Sequence, residues 1–161
     1  IEYFSEDKYK EMTMVELGSC HGDTTKIFSK IFKKVHAVDW KQSNIDLAKE
    51  RCEDSDNITY QVSNVATDDW DYPNCDVVFI DASHDYPQIL LDIKKALNYF
   101  DNPIIILDDH GNPNNTSIRK AIDEMVNTNK LKIKKYIGEE SGFLTKSGWC
   151  MNDREGVICT V

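Results

Sequence analysis

Three carboxylates stand at the ends of two strongly apolar runs. Asp81 closes the run Cys75-Asp76-Val77-Val78-Phe79-Ile80, and Asp108 with Asp109 closes Pro103-Ile104-Ile105-Ile106-Leu107. Runs that are apolar without alternation read as central strands of a parallel sheet, and ligands of such sheets sit beyond the carboxyl ends of the strands. If these two strands are neighbours, Asp81, Asp108 and Asp109 converge there. Like charges in close company repel unless a cation lies among them. A hard ion held by oxygens, such as Mg²⁺, suits the set. His84, on the loop after Asp81, and His110, next to Asp109, are the candidates to take a proton from an acceptor. Plainer readings stay open: Asp81 facing an organic cofactor with no metal, Asp108-Asp109 capping the turn into Gly111-Asn112, and His84 as a solvated loop side chain.

A second constellation lies near the start of the chain, in Val15-Glu16-Leu17-Gly18-Ser19-Cys20-His21-Gly22-Asp23-Thr24-Thr25. The apolar run from Met14 to Leu17 ends at Gly18, Gly22 follows, and Ile27, Phe28, Ile31 and Phe32 then fall at helical spacing. This is strand, tight turn, helix. Gly18 permits the sharp turn and lets bare backbone approach a ligand, while Gly22 suits close helix–strand packing. A helix opening near Asp23 or Thr24 points unpaired N–H groups at an anionic ligand group. The next strand, Lys34-Val35-His36-Ala37-Val38-Asp39-Trp40, carries Asp39 at its carboxyl end. An acid about 20 residues beyond such a turn is where a nucleotide-type cofactor places its ribose hydroxyls. Within the loop, His21 reads as a side chain turned to solvent and Cys20 as a small packing residue, not a nucleophile. His36 reads as structural, and Tyr86 and Trp149 as pocket-lining or simply packed aromatics.

The elements that must hold these residues alternate. Ser43-Asn44-Ile45-Asp46 has the form of a capping box opening a helix toward Cys52. Asn57 to Val62 alternates as a third strand and runs into the polar turn Ser63-Asn64-Val65. The Asp81 strand is the fourth. Pro87 then suits the first turn of a helix with Ile89, Leu90, Ile93, Leu97 and Phe100 on one face. The Asp108 strand is the fifth, followed by a loop through Gly111, Pro113 and Asn114 and a helix with Ile118, Ala121, Ile122, Met125 and Val126 inward. Leu131 to Ile137 and Gly156 to Val161 are the last two strands, joined by a long polar connection that holds Phe143 and Trp149. Alternation predicts an α/β fold with a doubly wound, mostly parallel sheet, and two closing strands without a helix between them predict a final antiparallel hairpin. Residues 1–11 read as a short cap over one face of the site, on a single domain covering 1–161.

Composition narrows the partners. The chain has 161 residues, 40% hydrophobic and 29% charged, which suits one globular domain. A net charge of −9 with no Lys/Arg track disfavours nucleic acid, whose binding rests on phosphate neutralisation, and favours a small-molecule substrate. Five cysteines without a CxxC pair argue against a disulfide framework or a zinc site and suit a cytoplasmic protein. No apolar run is long enough to span a membrane and no secretory leader is seen. A homo-oligomer is left open.

Taken together, residues 12–161 resemble the class I S-adenosylmethionine-dependent methyltransferases. The form Glu16-Leu17-Gly18-Ser19-Cys20-His21-Gly22-Asp23-Thr24 is similar to the small-molecule branch that includes macrocin-type O-methyltransferases and the cephalosporin-hydroxylase-like proteins. Phe79-Ile80-Asp81-Ala82-Ser83-His84-Asp85-Tyr86 and Leu107-Asp108-Asp109-His110 resemble that branch too, and Cys20 in place of the middle glycine of the commoner GxGxG form is shared with it. The resemblance implies a Rossmann-like, seven-stranded sheet with an antiparallel last strand, and S-adenosylmethionine as cofactor. It implies that Gly18 to Gly22, through Ser19, Cys20 and His21, wrap the methionine end, with Glu16 and Thr24 in the same motif. Asp39 would take the ribose diol, Trp40 would lie beside the adenine, and Asp81 would face the cofactor. Asn64, where the family usually has an aspartate, would meet the adenine amino group. It further implies Mg²⁺ on Asp81, Asp108 and Asp109, orienting and acidifying an acceptor hydroxyl. A sulfonium is already activated, so alignment and removal of a proton suffice and no nucleophile is needed.

Two other classes remain in play. A nicotinamide-dependent oxidoreductase would use Asp39 equally well, although the chain lacks GxGxxG and a Tyr-x-x-x-Lys pair. A module that holds the cofactor without turnover is the other, and the short N-terminal region leans that way.

Overall fold

Every apolar run singled out in the sequence is a strand in the computed structural model, which describes residue 4 and residues 7–112, 115–138, 143–144, 150–151 and 155–161. Trp149, Pro113 and Asn114 lie outside the described residues. The chain divides into two compact units, Ile1–Ala82 and Ser83–Val161.

The first unit holds β1 (Thr13–Leu17), α1 (Asp23–Phe28), β2 (Lys34–Asp39), α2 (Gln42–Arg51), β3 (Ile58–Val62) and β4 (Val77–Ile80). The strands run in the order β3-β2-β1-β4, all parallel. β1 and β4 are central, and Val15, Leu17, Val77 and Val78 have no exposed surface. Complete burial of such side chains contributes about 1.5–3 kcal/mol each, which fixes these strands in the interior. The register aligns Leu17 with Val38 and with Ile80, so the loops after β1, β2 and β4 leave the sheet at one level. That shared level is what brings Gly18, Asp39 and Asp81 to the same carboxyl edge.

Three expectations change in this unit. α1 ends at Phe28, and Ile27 is 46% exposed although its spacing predicted burial. Phe28 and Phe32 do turn inward, with ring centroids 5.9 Å apart. The capping box does not form: α2 starts at Gln42 with Lys41 as its cap and no side-chain cap bond. Asn44 is drawn instead to Asp39, and Asp46 accepts from Gln42 Nε2 at 2.8 Å. The N-terminal cap, a 3-10 turn over Asp7–Glu11, places Tyr9 together with Phe4 against Phe32. Lys33 N donates to Met12 O beside it, so the cap covers the amino edge of the sheet and not the loops that follow the strands.

The second unit holds α3 (Tyr86–Tyr99), β5 (Ile104–Leu107), α4 (Ser117–Asn127), β6 (Lys132–Ile137), β7 (Phe143–Leu144), β8 (Cys150–Met151) and β9 (Gly156–Thr160). Pro87 sits in the first turn of α3, where its missing N–H is no loss. Ile89, Ile93 and Phe100 are buried as expected, and α4 buries Ile118, Ala121, Ile122 and Met125. The closing strands are antiparallel, with a refinement: β9 lies between β5 and β6 and pairs with both, completing the order β5-β9-β6. The polar connection ahead of β9 contains a small two-stranded ladder, β7 with β8, that no hydrophobic alternation announced. With four parallel strands in one unit and antiparallel pairing in the other, the seven-stranded sheet is mixed. Among the described residues no helix is long and apolar enough to cross a membrane.

Candidate functional site

The glycine turn is built for backbone proximity, and the partner is the chain itself. Gly18 has φ 97°, and a Cβ there would lie 2.3 Å from the Asp81 carbonyl oxygen. The backbone that Gly18 leaves bare on its Cβ side is met by the start of the Asp81 loop. Gly22, at φ 83°, would place a Cβ 2.8 Å from Ala48 Cα, so it serves helix–helix packing of α1 on α2, not helix–strand packing. The loop amides are also engaged. Gly18 N and Ser19 N both donate to Val38 O at 2.9 and 3.0 Å, Cys20 N donates to Asp39 Oδ2 at 3.0 Å, and Gly22 N donates to Ser19 O at 2.9 Å. These amides shape the loop and do not present themselves to an anion. The exposed Cys20 is held at φ 46°, a left-handed conformation uncommon for a residue with a Cβ.

Asp39 is the hub of this arrangement. It is 5% exposed, and its carboxylate accepts from Cys20 N, from Lys41 N at 2.9 Å and from Asn44 Nδ2 at 3.0 Å. A carboxylate offers roughly four acceptor directions, so one is left for a ligand hydroxyl. Lys41 and Asn44 were not visible as site residues in the sequence, although the position of Asn44 one turn into α2 brings it back over Asp39. Trp40, beside Asp39, keeps 63% of its surface exposed, with Lys41 Nζ 4.5 Å from its ring centroid.

Beneath the loop lies a buried acid. Glu16 has no exposed surface, and its Oε2 accepts a 2.5 Å hydrogen bond from the Thr25 hydroxyl. Burial pushes its carboxyl up to about 8, the Thr25 bond opposes that, and the charges of Asp81 and Asp39 add to it. Glu16 Oε1 and the hydroxyl of Ser19, which is 3% exposed, are buried without a hydrogen-bond partner. Orphaned buried polar atoms are costly, and paired ligand groups are one way to satisfy them. Thr25, not the half-buried Thr24, is the threonine tied to Glu16. His21 is exposed and lines a groove of about 450 Å³ with Leu47, Glu50, Arg51 and Glu53.

Asn64 follows β3 in a tight local turn. Its Oδ1 accepts from Ala66 N at 3.1 Å, and its own N donates to Asp68 Oδ2 at 2.8 Å. The amide oxygen is thus committed to the turn, which leaves the Nδ2 donor as the more open end of the exposed side chain.

In the second unit, His84 Nε2 lies 2.8 Å from Asp109 Oδ2. Asp109 adopts φ 56°, and its carboxyl sits below the ordinary value because of the His84 hydrogen bond. Asn115 Nδ2 donates to His84 O at 2.8 Å, which ties the His84 loop to the segment leading into α4. Asp108 is pushed up to about 6, chiefly by burial, with Asp109 and Glu155 adding. His110 is 5% exposed, stacks 5.1 Å from the Tyr136 centroid, and donates through its backbone N to Glu155 O at 2.8 Å. It is a packed side chain, in contrast to the partly exposed His84. No group of three His, Cys, Asp or Glu side chains among the described residues is placed to hold a metal ion. The Mg²⁺ expectation for Asp81, Asp108 and Asp109 is thus not supported among the described residues: Asp109 is engaged by His84, and burial raises the Asp108 carboxyl to about 6.

S-adenosylmethionine does fit the first unit, by its donor set. A carboxylate with one acceptor direction left, an exposed indole beside it and two orphaned buried polar atoms below the loop match a nucleoside with a charged tail. Comparison with known proteins bears on the same residues. A family model described as a methyltransferase domain matches residues 15–110. N-methyltransferase NodS of Bradyrhizobium japonicum, in complex with S-adenosyl-L-homocysteine, is similar at TM-score 0.70 and 13% identity, over 93% of this chain and 78% of that one. A SAM-dependent methyltransferase from Methanosarcina mazei is similar at TM-score 0.70 and 13% identity, over 95% of this chain and 94% of that one. Phosphoethanolamine N-methyltransferase 1 of Haemonchus contortus, in complex with phosphoethanolamine and S-adenosylhomocysteine, is similar at TM-score 0.53 and 21% identity over 62% of this chain, which spans 22% of that longer one. These likenesses are of fold, the Rossmann-like methyltransferase sheet. A search of curated proteins finds no match in sequence.

Proposed function

The chain belongs to the methyltransferase-domain family matched over residues 15–110, and on that premise we propose that it binds S-adenosylmethionine through Asp39 and methylates a hydroxyl of a small molecule. When bound, that cofactor supplies a methyl group on a positively charged sulfur, already activated for transfer. The protein's tasks are then to hold the nucleoside, exclude water and remove one proton. The observation that carries the reading is the pinned Asp39 carboxylate, with three protein donors fixing its plane and one acceptor direction left for a ribose hydroxyl. Trp40 supports it as a flat exposed face for the base. The orphaned Glu16 Oε1 and Ser19 hydroxyl support it as partners for the polar tail of the ligand.

His84 is the group we assign to take the acceptor's proton. A histidine oriented by a carboxylate 2.8 Å away is the ordinary form of a general base, and proton removal contributes about 10²–10⁴-fold where it is needed. Such a pair favours turnover over a module that only holds cofactor. No step is routed through Mg²⁺. The net charge of −9 supports a small-molecule acceptor over nucleic acid, and the free thiols of Cys20, Cys52, Cys75 and Cys159 support a cytoplasmic setting. The family match does not favour the nicotinamide reading.

Calorimetry with S-adenosylhomocysteine and with NAD tests the proposal. We expect saturable binding of the first, lost in Asp39→Ala, and none of the second. Absence of heat with S-adenosylhomocysteine, or an affinity unchanged in Asp39→Ala, overturns it. A panel of hydroxyl acceptors with isotopically labelled methyl donor then tests the reaction, and transfer to nitrogen alone overturns the assignment to oxygen.

A further inference from the structure

Glu16 is an acid enclosed among acids. It has no exposed surface, one oxygen engaged by the Thr25 hydroxyl and the other without a partner. The titratable groups that interact with it are Asp39 from the end of β2, Asp81 after β4, Cys52 after α2 and Tyr60 from β3. From α1 it receives only the Thr25 hydroxyl. None of these groups supplies a positive charge. Each raises the cost of ionising Glu16 or leaves it unchanged, apart from the single hydrogen bond of Thr25. The carboxyl is held up to about 8, so the free protein carries it neutral at pH 7.

A cation bound at the Asp39 and Asp81 edge would reverse this balance. Resting on the S-adenosylmethionine reading above, we propose that Glu16 distinguishes the charged methyl donor from its product by releasing its proton to solvent when the donor binds. The step is an acid dissociation: Glu16 goes from carboxylic acid to carboxylate, and bulk water takes the proton. Donor and product carry the same nucleoside and the same amino-acid tail. They differ by the unit positive charge on sulfur, which is lost with the methyl group. The donor therefore favours ionised Glu16 more than the product does. By linkage, ionised Glu16 favours the donor to the same degree. After transfer, Glu16 regains its proton and the grip on the spent nucleoside weakens.

This assigns a specificity role to a residue that touches neither acceptor nor methyl group in the proposal. It also gives the orphaned Oε1 a use, since the ionised carboxylate can accept from a water that accompanies the donor.

The test is proton counting by titration calorimetry at pH 7, in buffers of contrasting ionisation enthalpy, for S-adenosylmethionine and S-adenosylhomocysteine. In wild-type protein we expect more proton release with the donor, approaching about one proton, than with the product. The donor-over-product affinity ratio should rise by up to about tenfold per pH unit toward pH 8 and level off above it. Glu16→Gln should bind both nucleosides with no difference in proton release and a ratio independent of pH. Should Glu16→Gln fail to fold, infrared difference spectra of wild-type protein report the same event as loss of a protonated-carboxyl band on adding the donor and its retention with the product. Equal proton release for the two ligands in wild type, or a difference that survives Glu16→Gln, overturns the role of Glu16 while leaving the cofactor assignment standing. Failure of both nucleosides to bind overturns the cofactor assignment itself and this inference with it.

Discussion

Asp39 holds the loop and, in the proposed function, the ligand as well, and its substitutions separate the two. Asp39→Asn keeps the shape but turns one acceptor oxygen into a donor that faces the amide of Cys20 or Lys41. Hydrogen bonds to a charged group contribute about 1.5–3 kcal/mol, so affinity for S-adenosylhomocysteine should fall about 10- to 100-fold by calorimetry. His84→Ala should lower turnover by about 10²- to 10⁴-fold while leaving nucleoside affinity within a factor of about two. Asp109→Asn should fall between wild type and His84→Ala, since the ring loses its charged partner and keeps a hydrogen bond. Asp39 could be read from the sequence because an acid at a strand end after a glycine turn is a spacing rule. Its supporting cast could not: Lys41 and Asn44 act through a backbone amide and a side-chain turn that have no spacing signature. His84 with Asp109 was nameable as separate residues, but their pairing depends on how two loops fold, and the sequence offered a shared metal instead.

At the level of elements, the glycine turn is a packing device. Gly18→Ala would drive a Cβ into the Asp81 carbonyl from a backbone conformation that disfavours any side chain. Together these cost at least about 2 kcal/mol, read as a lower urea midpoint. Gly22→Ala should destabilise as well, and Ala48→Gly should restore only part of the loss. The reason is that the intruding methyl meets the Ala48 Cα at 2.8 Å besides its Cβ at 2.9 Å. Full recovery of the midpoint in the double variant would show that the helices can part. Strands were the most legible elements, because burial on both faces writes itself as uninterrupted Val, Ile and Leu. Helix α1 was less so. Its spacing continued past Phe28, but Ser29 Oγ turns back to Lys26 O at 2.9 Å and the next amides bond at shorter reach, so the regular helix stops. Asp92 escaped notice for a similar reason: it is 1% exposed on the buried face of α3, where charge pattern alone would put it in water.

For the molecule as a whole, three acids with raised carboxyls among the described residues set the pH response. Glu16 is held up to about 8, and Asp92 and Asp108 up to about 6, all three chiefly by burial. A raised carboxyl means that the folded chain retains protons the unfolded chain has lost, so stability falls as pH rises through each window. For Glu16 that window runs from 4.5 to about 8 and amounts to a few kcal/mol, as an order of magnitude. Asp109, held low by His84, works in the opposite sense: its contribution is present above its unfolded value and is lost as pH falls through the lower folded one. Thermal denaturation should therefore show a maximum at about pH 4, with a decline toward pH 8 that Glu16→Gln flattens. A profile that climbs steadily to pH 8 would contradict the buried, neutral Glu16. A different consequence follows from β9 lying between β5 and β6. As the chain is synthesised, residues 104–107 and 132–137 emerge before the strand that joins them. Until residues 156–160 arrive, β5 and β6 present unsatisfied backbone to their surroundings. The second unit thus passes through an interval of vulnerability to chaperones, proteases and self-association that the first unit, whose pairings close earlier along the chain, does not share.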